Sequence, residues 1–232
     1  MPKKIAGKVP QPPPQAEFNR LDLADLCVEL EGVFYRLHPT DPDTGQPYGP
    51  IYFSKRNNTR FDPRHGIGTL CVAETLPGAL MEVFDDHWGP VDSIGRSVTE
   101  TQLNETWVSR VSLPDVRLLD LTGGNLSKLG GDAQILTGLY STTRKWALRI
   151  MLHPATADGI LYRSRHDPAL VNVALFERAH LLPAQFDSAL VEGSAWSRGT
   201  AHPGKIVYGP PALLGGHPGL DNALIQLQVA RI

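Results

Sequence analysis

The hydrophobic and polar positions divide the chain into recognisable elements. Gly68-Thr69-Leu70-Cys71-Val72-Ala73 is a short continuous apolar run with β-branched residues, the pattern of a buried strand. Thr75 follows as a helix cap, with Leu76 and Pro77 in a first turn where a missing N–H costs little. On that helix Leu80, Val83 and Phe84 form one apolar stripe, and Glu82 points well away from it. Gly78 and Ala79 precede Glu82 by one helical turn, so little bulk surrounds the carboxylate. An isolated helix glutamate is usually solvated; one beside a gap can meet a ligand.

The same pattern predicts the other elements. Leu21, Leu23, Ala24, Leu26, Cys27 and Leu30 recur at helical spacing and predict a short amphipathic helix over 20–30. Val33–Leu37 reads as a strand, followed by a turn-rich loop up to Ile51-Tyr52-Phe53. Residues 85–104 are polar and read as loop. Thr106–Leu113 and Arg117–Leu121 read as two strands separated by Pro114-Asp115. Ala133–Leu152 reads as one long helix, capped by Asp132 and closed by Pro154. Gly159–Tyr162 and Val171–Phe176 are further strands, and Lys205–Tyr208 another. Ala223–Ile232 suits helix or strand equally. Strands and helices mix without strict βαβ alternation, which predicts an α+β fold.

Composition narrows the class. The 232 residues carry 20 prolines and 22 glycines, too many turn formers for a helical bundle. A net charge of −2 gives no general electrostatic reason to bind nucleic acid or an anionic membrane. No apolar run approaches the ~20 residues of a membrane span. Lys3, Lys4 and Lys8 precede no apolar stretch, so the N-terminus does not read as a secretory signal. Two cysteines, Cys27 and Cys71, make no disulfide framework and suit a reducing compartment. The expectation is a soluble cytoplasmic protein. Residues 1–17, with three lysines and four prolines, are expected to form a flexible arm before a single domain over 18–232 that ends in a C-terminal extension.

Familiar signatures are missing. The glycine-rich stretch 123–131 lacks the Gly-Lys-Ser/Thr of a phosphate loop, and the histidines and cysteines lack zinc spacing. What stands out is polar residues set against apolar strands: Arg36 after Phe34-Tyr35, Arg60 in the turn before the central strand, and Ser164-Arg165 after Gly159–Tyr162. Two arginines converging on one cleft can hold a pyrophosphate, because the planar guanidinium matches two oxygens. Tyr35 or Phe61 can stack on a flat ring. A serine in a turn most often bonds its own backbone, and Trp146 suits the core.

In order and spacing, Tyr35-Arg36, Arg60-Phe61-Asp62-Pro63, Gly68–Ala73 with Ala79–Val83, Gly159–Arg165 and Asn172–Phe176 resemble the RES domain, over about residues 33–177. The resemblance implies an ADP-ribosyltransferase-like fold, a bent, split β-structure flanked by helices. It implies NAD+ as substrate, consumed by hydrolysis, phosphorolysis or ADP-ribosylation of a protein, and no metal, since nicotinamide leaves as a neutral group. It implies a toxin paired with an Xre-type antitoxin, and it leaves a homodimer open. By position, Arg60, Glu82 and Ser164 match the catalytic arginine, glutamate and serine. Tyr35, Arg36, Cys71 and Arg165 fall in the binding blocks. One departure stands out: the family's central strand usually carries a tyrosine where this chain has Cys71. Either Cys71 leaves a gap there, or another tyrosine, Tyr52 for example, fills it. A catalytically weakened domain that binds a nucleotide or a protein partner is the rival expectation.

Overall fold

In chain order the elements are α1 (Gln15–Phe18), β1 (Cys27–Pro39), β2 (Thr69–Ala73), α2 (Leu76–Phe84), β3 (Arg96–Val98), α3 (Glu100–Asn104), β4 (Thr106–Asp120), α4 (Asn125–Lys128), α5 (Gln134–Thr137), α6 (Tyr140–Met151), β5 (Gly159–Arg163), β6 (Val171–Phe176), β7 (Gln185–Phe186), β8 (Val207–Tyr208), β9 (Ala212–Leu213), α7 (Leu220–Leu227) and β10 (Val229–Arg231). They come from a computed structural model that describes residues 11–55, 59–63, 66–84, 96–165, 167–182, 184–190 and 205–232.

The strand order β1-β2-β6-β5-β4 returns on itself, because β1 also pairs with β4 from Cys27↔Leu119 to Pro39↔Thr106. The five strands close a barrel-like ring in which only β4 and β5 run parallel. Closure leaves these central strands no unpaired edge. The short strands β8 and β9 pair antiparallel with β4, and β7 joins β8. A separate parallel pair, β3 with β10, ties the C-terminus back to the middle of the chain. The fold is thus α+β, a bent mixed sheet flanked by helices. Every residue of β2 is buried, as its unbroken apolar run predicts. Thr75 accepts a hydrogen bond from the Gly78 N–H at 3.2 Å and caps α2.

Several elements differ from the sequence expectation. The helix expected over 20–30 is a single 3-10 turn at Ala24–Leu26 running into β1. The ladder to β4 starts at Cys27, so tertiary pairing overrides the helical spacing. The two strands expected around Pro114-Asp115 are one strand, β4. The register shifts between Leu30↔Val116 and Gly32↔Leu113, so Pro114 sits in a bulge, where its missing N–H is tolerated. The loop expected over 85–104 lies partly outside the described residues; its remainder holds β3 and α3, the latter opened by a Thr99/Gln102 capping box. The helix expected over 133–152 breaks at Gly138 into α5 and α6. The ambiguous C-terminus is both, α7 turning into β10 through a left-handed Gln228. Within the expected arm, residues 11–17 lie against α6: Arg149 Nε donates to Pro13 O at 2.9 Å and Gln11 Nε2 to Thr142 Oγ1 at 3.1 Å. No helix among the described residues is long and apolar enough to cross a membrane.

The close approach of β5 to β6 depends on Gly159, where an added Cβ would stand 2.3 Å from the Ala174 carbonyl oxygen. Overpacking against backbone costs ~1–3 kcal/mol. Gly159→Ala should therefore lower the denaturant midpoint by that free energy without changing the unfolding slope. An unchanged midpoint would show that the two strands are not in contact there.

Candidate active site

Arg60 is held by the turn that precedes β2. Thr59 donates its backbone N–H and its hydroxyl to the Asp62 carboxylate, at 2.8 and 2.5 Å. The start of α6 pins that turn, with Thr143 Oγ1 donating to Arg60 O at 2.7 Å and Arg144 Nε to Thr59 O at 2.9 Å. The guanidinium is buried, donates to Gly138 O at 2.8 Å and lies 4.7 Å from the centre of the Tyr140 ring. The break between α5 and α6 thus has a use: extended backbone at Gly138 aims its carbonyl at Arg60.

Arg36 reaches the same region from β1 and donates through Nη1 to Cys71 O at 2.9 Å. Glu82 arrives from α2, which lies low over the sheet. A Cβ on Gly78 would stand 3.1 Å from Asn172 Oδ1 and 3.2 Å from Ala73 Cβ, so the glycine sets this approach. One turn further on, Asn172 Nδ2 donates to Glu82 Oε2 at 3.0 Å. Arg36, Arg60, Cys71, Glu82 and Tyr140 share the walls of one cleft of about 520 Å³, with His38 and Tyr52.

The electrostatics are uneven. Among the described residues neither arginine has a carboxylate at ion-pair distance; each is anchored by a neutral backbone carbonyl. Loss of solvent lowers both guanidinium pKa values, and for Arg60 the charge of Arg165 adds to the effect. The surrounding protein pushes the Glu82 carboxyl above its ordinary value, while Tyr162, Arg60, Asn172 and Arg165 pull it back. Burial, then the charge of Arg36, lowers His38 to about 4. Its neutral ring lies 2.9 Å from Ser109 Oγ through Nε2. Of eight buried side-chain polar atoms without a protein hydrogen bond among the described residues, two belong to cleft walls, Arg36 Nε and His38 Nδ1, and two lie on the strands beside Glu82, Tyr162 Oη and Asn172 Oδ1. Buried polar groups are normally paired, so this concentration marks the cleft as the place where the fold leaves polar groups available. Among the described residues no cluster of three or more His, Cys, Asp or Glu side chains suits a metal ion.

Of the sequence candidates, Arg36, Arg60, Cys71 and Glu82 line the cleft. Tyr35 does not. Strand alternation sends its ring to the other side of β1, where Arg110 lies 4.0 Å above it and His217 packs edge-on. Phe61 is fully buried and offers no stacking face. Ser164 is buried at the end of β5, its backbone N–H donating to Leu170 O at 3.0 Å, and it is not among the described wall residues. Arg165 acts on Arg60 and Glu82 through its charge. Sequence reasoning passed over Tyr140, His38, Asn172 and Tyr162 as site residues. Asn172 carried a signal, a polar side chain inside the run Val171–Phe176; Tyr140 carried none.

Cys71 opens on the cleft yet is only 7% exposed, packed in one core cluster with Phe61, Tyr162 and Ala174. Burial raises its thiol pKa well above the ordinary value, so it stays protonated and unreactive. A tyrosine here meets an occupied space. Cys71→Tyr should destabilise by ~1–3 kcal/mol, read as a lower melting temperature. An unchanged melting temperature would show that a gap exists after all.

Comparison with known proteins places this geometry. The RES domain model matches residues 33–196. A chain of the M. tuberculosis MbcT–MbcA toxin–antitoxin complex superposes with a TM-score of 0.53, at 14% sequence identity over 85% of this chain and 90% of that one. At that identity the likeness is one of fold. No curated protein matches the chain. Because the family match takes in well over half of the sequence, barrel, cleft and both cleft arginines included, the chain belongs to the RES domain family.

Proposed function

We propose that this chain cleaves the bond between nicotinamide and ribose in NAD+. The observation that carries this reading is the pair of arginines, Arg36 and Arg60, that share a cleft with Glu82 and, among the described residues, have no ion-pair partner. A desolvated guanidinium without a counter-charge is costly, and an anionic ligand removes that cost. The pyrophosphate of NAD+ supplies negative charge in the geometry that two guanidinium groups match. Membership of the RES family and the fold shared with a toxin–antitoxin complex support the same reading.

The chemistry follows from the charges. As the C1′–N bond breaks, its electron pair leaves with nicotinamide, which departs neutral, and positive charge builds on the ribose. Glu82, ionised and fixed by Asn172, stabilises that charge and binds the ribose hydroxyls. Arg36 and Arg60 hold the pyrophosphate so that the ribose stays against Glu82. The acceptor then attacks C1′ and loses its proton. Water gives ADP-ribose, inorganic phosphate its 1″-phosphate ester, and a protein side chain an ADP-ribosylated protein. By extension from the family and from MbcT–MbcA, the chain acts as a toxin held by a protein antitoxin of Xre type.

The test is nicotinamide release from NAD+ by the purified protein. Glu82→Gln keeps the shape and loses the charge, and removal of one such preorganised contact costs ~10²–10³ in rate. The wild-type rate should fall as pH drops through the Glu82 pKa, because only the carboxylate stabilises the cation. That pKa lies above the ordinary glutamate value, so the acid limb should too. Equal turnover by a well-folded Glu82→Gln protein would remove Glu82 from the mechanism.

A further inference from the structure

The strands beneath Glu82 carry an imbalance of size. Cys71, Ala174 and Ile160 lie side by side in one row of the sheet, and Ala73, Asn172 and Tyr162 in the next. On β2 and β6 the residues are small, and from β5 the Tyr162 ring fills the space. It packs edge-on against Phe61 with centroids 4.7 Å apart and is 3% exposed. Phenylalanine would satisfy that packing, so the hydroxyl needs its own explanation. A buried phenol ordinarily finds a hydrogen-bond partner. Among the described residues Tyr162 Oη has none at ordinary distance, and neither has Oδ1 of its cross-strand neighbour Asn172, itself fully buried. The charged group that acts most strongly on this hydroxyl is Glu82.

Resting on the NAD+-cleaving reading, we propose that Tyr162 is the positioning residue for Glu82, its hydroxyl steering the carboxylate that its cross-strand neighbour Asn172 also holds. In the resting structure the hydroxyl has no partner at ordinary hydrogen-bond distance among the described residues, and catalytic hydrogen bonds often tighten only when a ligand closes them. Tyr162 touches no reacting atom; it acts through Glu82. The other titratable groups facing Glu82 among the described residues are Arg60 in its turn, Arg165 after β5, Arg36 on β1 and Cys71 on β2. The three arginines attract the carboxylate by charge, and the Cys71 thiol is a weak donor. Tyr162 is the neutral oxygen donor of the set, and with Asn172 it restricts the direction in which the carboxylate points.

Tyr162→Phe keeps the ring and removes the donor. No protein hydrogen bond is lost at ordinary distance, so the variant should fold with an unchanged melting temperature. The first readout is carboxyl carbon NMR titration of the free protein, with the Glu82 resonance identified by its disappearance in Glu82→Gln. Loss of a donor to the ionised form should move the Glu82 midpoint to higher pH. The second is nicotinamide release. A hydrogen bond to a charged group corresponds to about 10–100-fold in rate, so kcat should fall by that factor with KM nearly constant. The acid limb should move in the same direction as the NMR midpoint. A Glu82 midpoint that stays put in the folded variant overturns the proposal even if the enzyme cleaves NAD+. If the wild type releases no nicotinamide, the NAD+ reading fails, and the titration alone still decides whether Tyr162 governs Glu82.

Discussion

Two arginines anchored by neutral carbonyls, Arg60 buried and Arg36 half-buried, are the constraint on which the site depends. Arg36 donates to Cys71 O and Arg60 to Gly138 O, and neither has a carboxylate at ion-pair distance among the described residues. A buried salt bridge to Glu82 would satisfy the charges and close the cleft to ligand. Backbone carbonyls orient the guanidinium groups without neutralising them, so positive potential remains directed into the cleft. Glu82 is held in the same spirit by Asn172, a neutral donor that fixes the carboxylate and leaves its charge intact. On the proposed NAD+-cleaving reading, charges kept apart in this way are what preorganisation for an ionic transition state requires.

The barrel-like ring makes this arrangement possible. Tyr162 on β5 and Asn172 on β6 are direct cross-strand partners, and β1 brings Arg36 beside them through its pairing with β2, which pairs with β6. Arg60 comes from a turn that α6 pins through Thr143 and Arg144. Glu82 comes from a helix that Gly78 allows close to the sheet. Each anchor falls at a local irregularity: a helix broken at Gly138, a glycine where a side chain would clash, an asparagine inside an apolar strand. Such departures from local regularity are expected where a fold serves a site.

Much of this was legible from residue pattern, and the misses have physical causes. β2 and α2 were readable because an unbroken apolar run and a threonine cap carry their own signal. Arg36 and Arg60 stood out, with Ser164 and Arg165, as polar residues set against apolar strands, and Glu82 as a helix carboxylate beside small residues. The helical spacing of 20–30 misled because the pairing of β1 with β4, about ninety positions away, decides the conformation there. The break at Gly138 was invisible because the need for it comes from Arg60, far along the chain. Tyr35 read as a ligand platform because sequence alone did not say which face of β1 is the cleft. Tyr162 was passed over because its value lies in the small residues two strands away.

The most direct measurement is a crystal structure of the Glu82→Gln protein with NAD+, since that variant should bind the dinucleotide without cleaving it. The account predicts one NAD+ in the cleft, its pyrophosphate on Arg36 and Arg60 and its nicotinamide ribose against residue 82. Dinucleotide bound elsewhere, or a cleft with NAD+ in it but no pyrophosphate contact to either arginine, would contradict it.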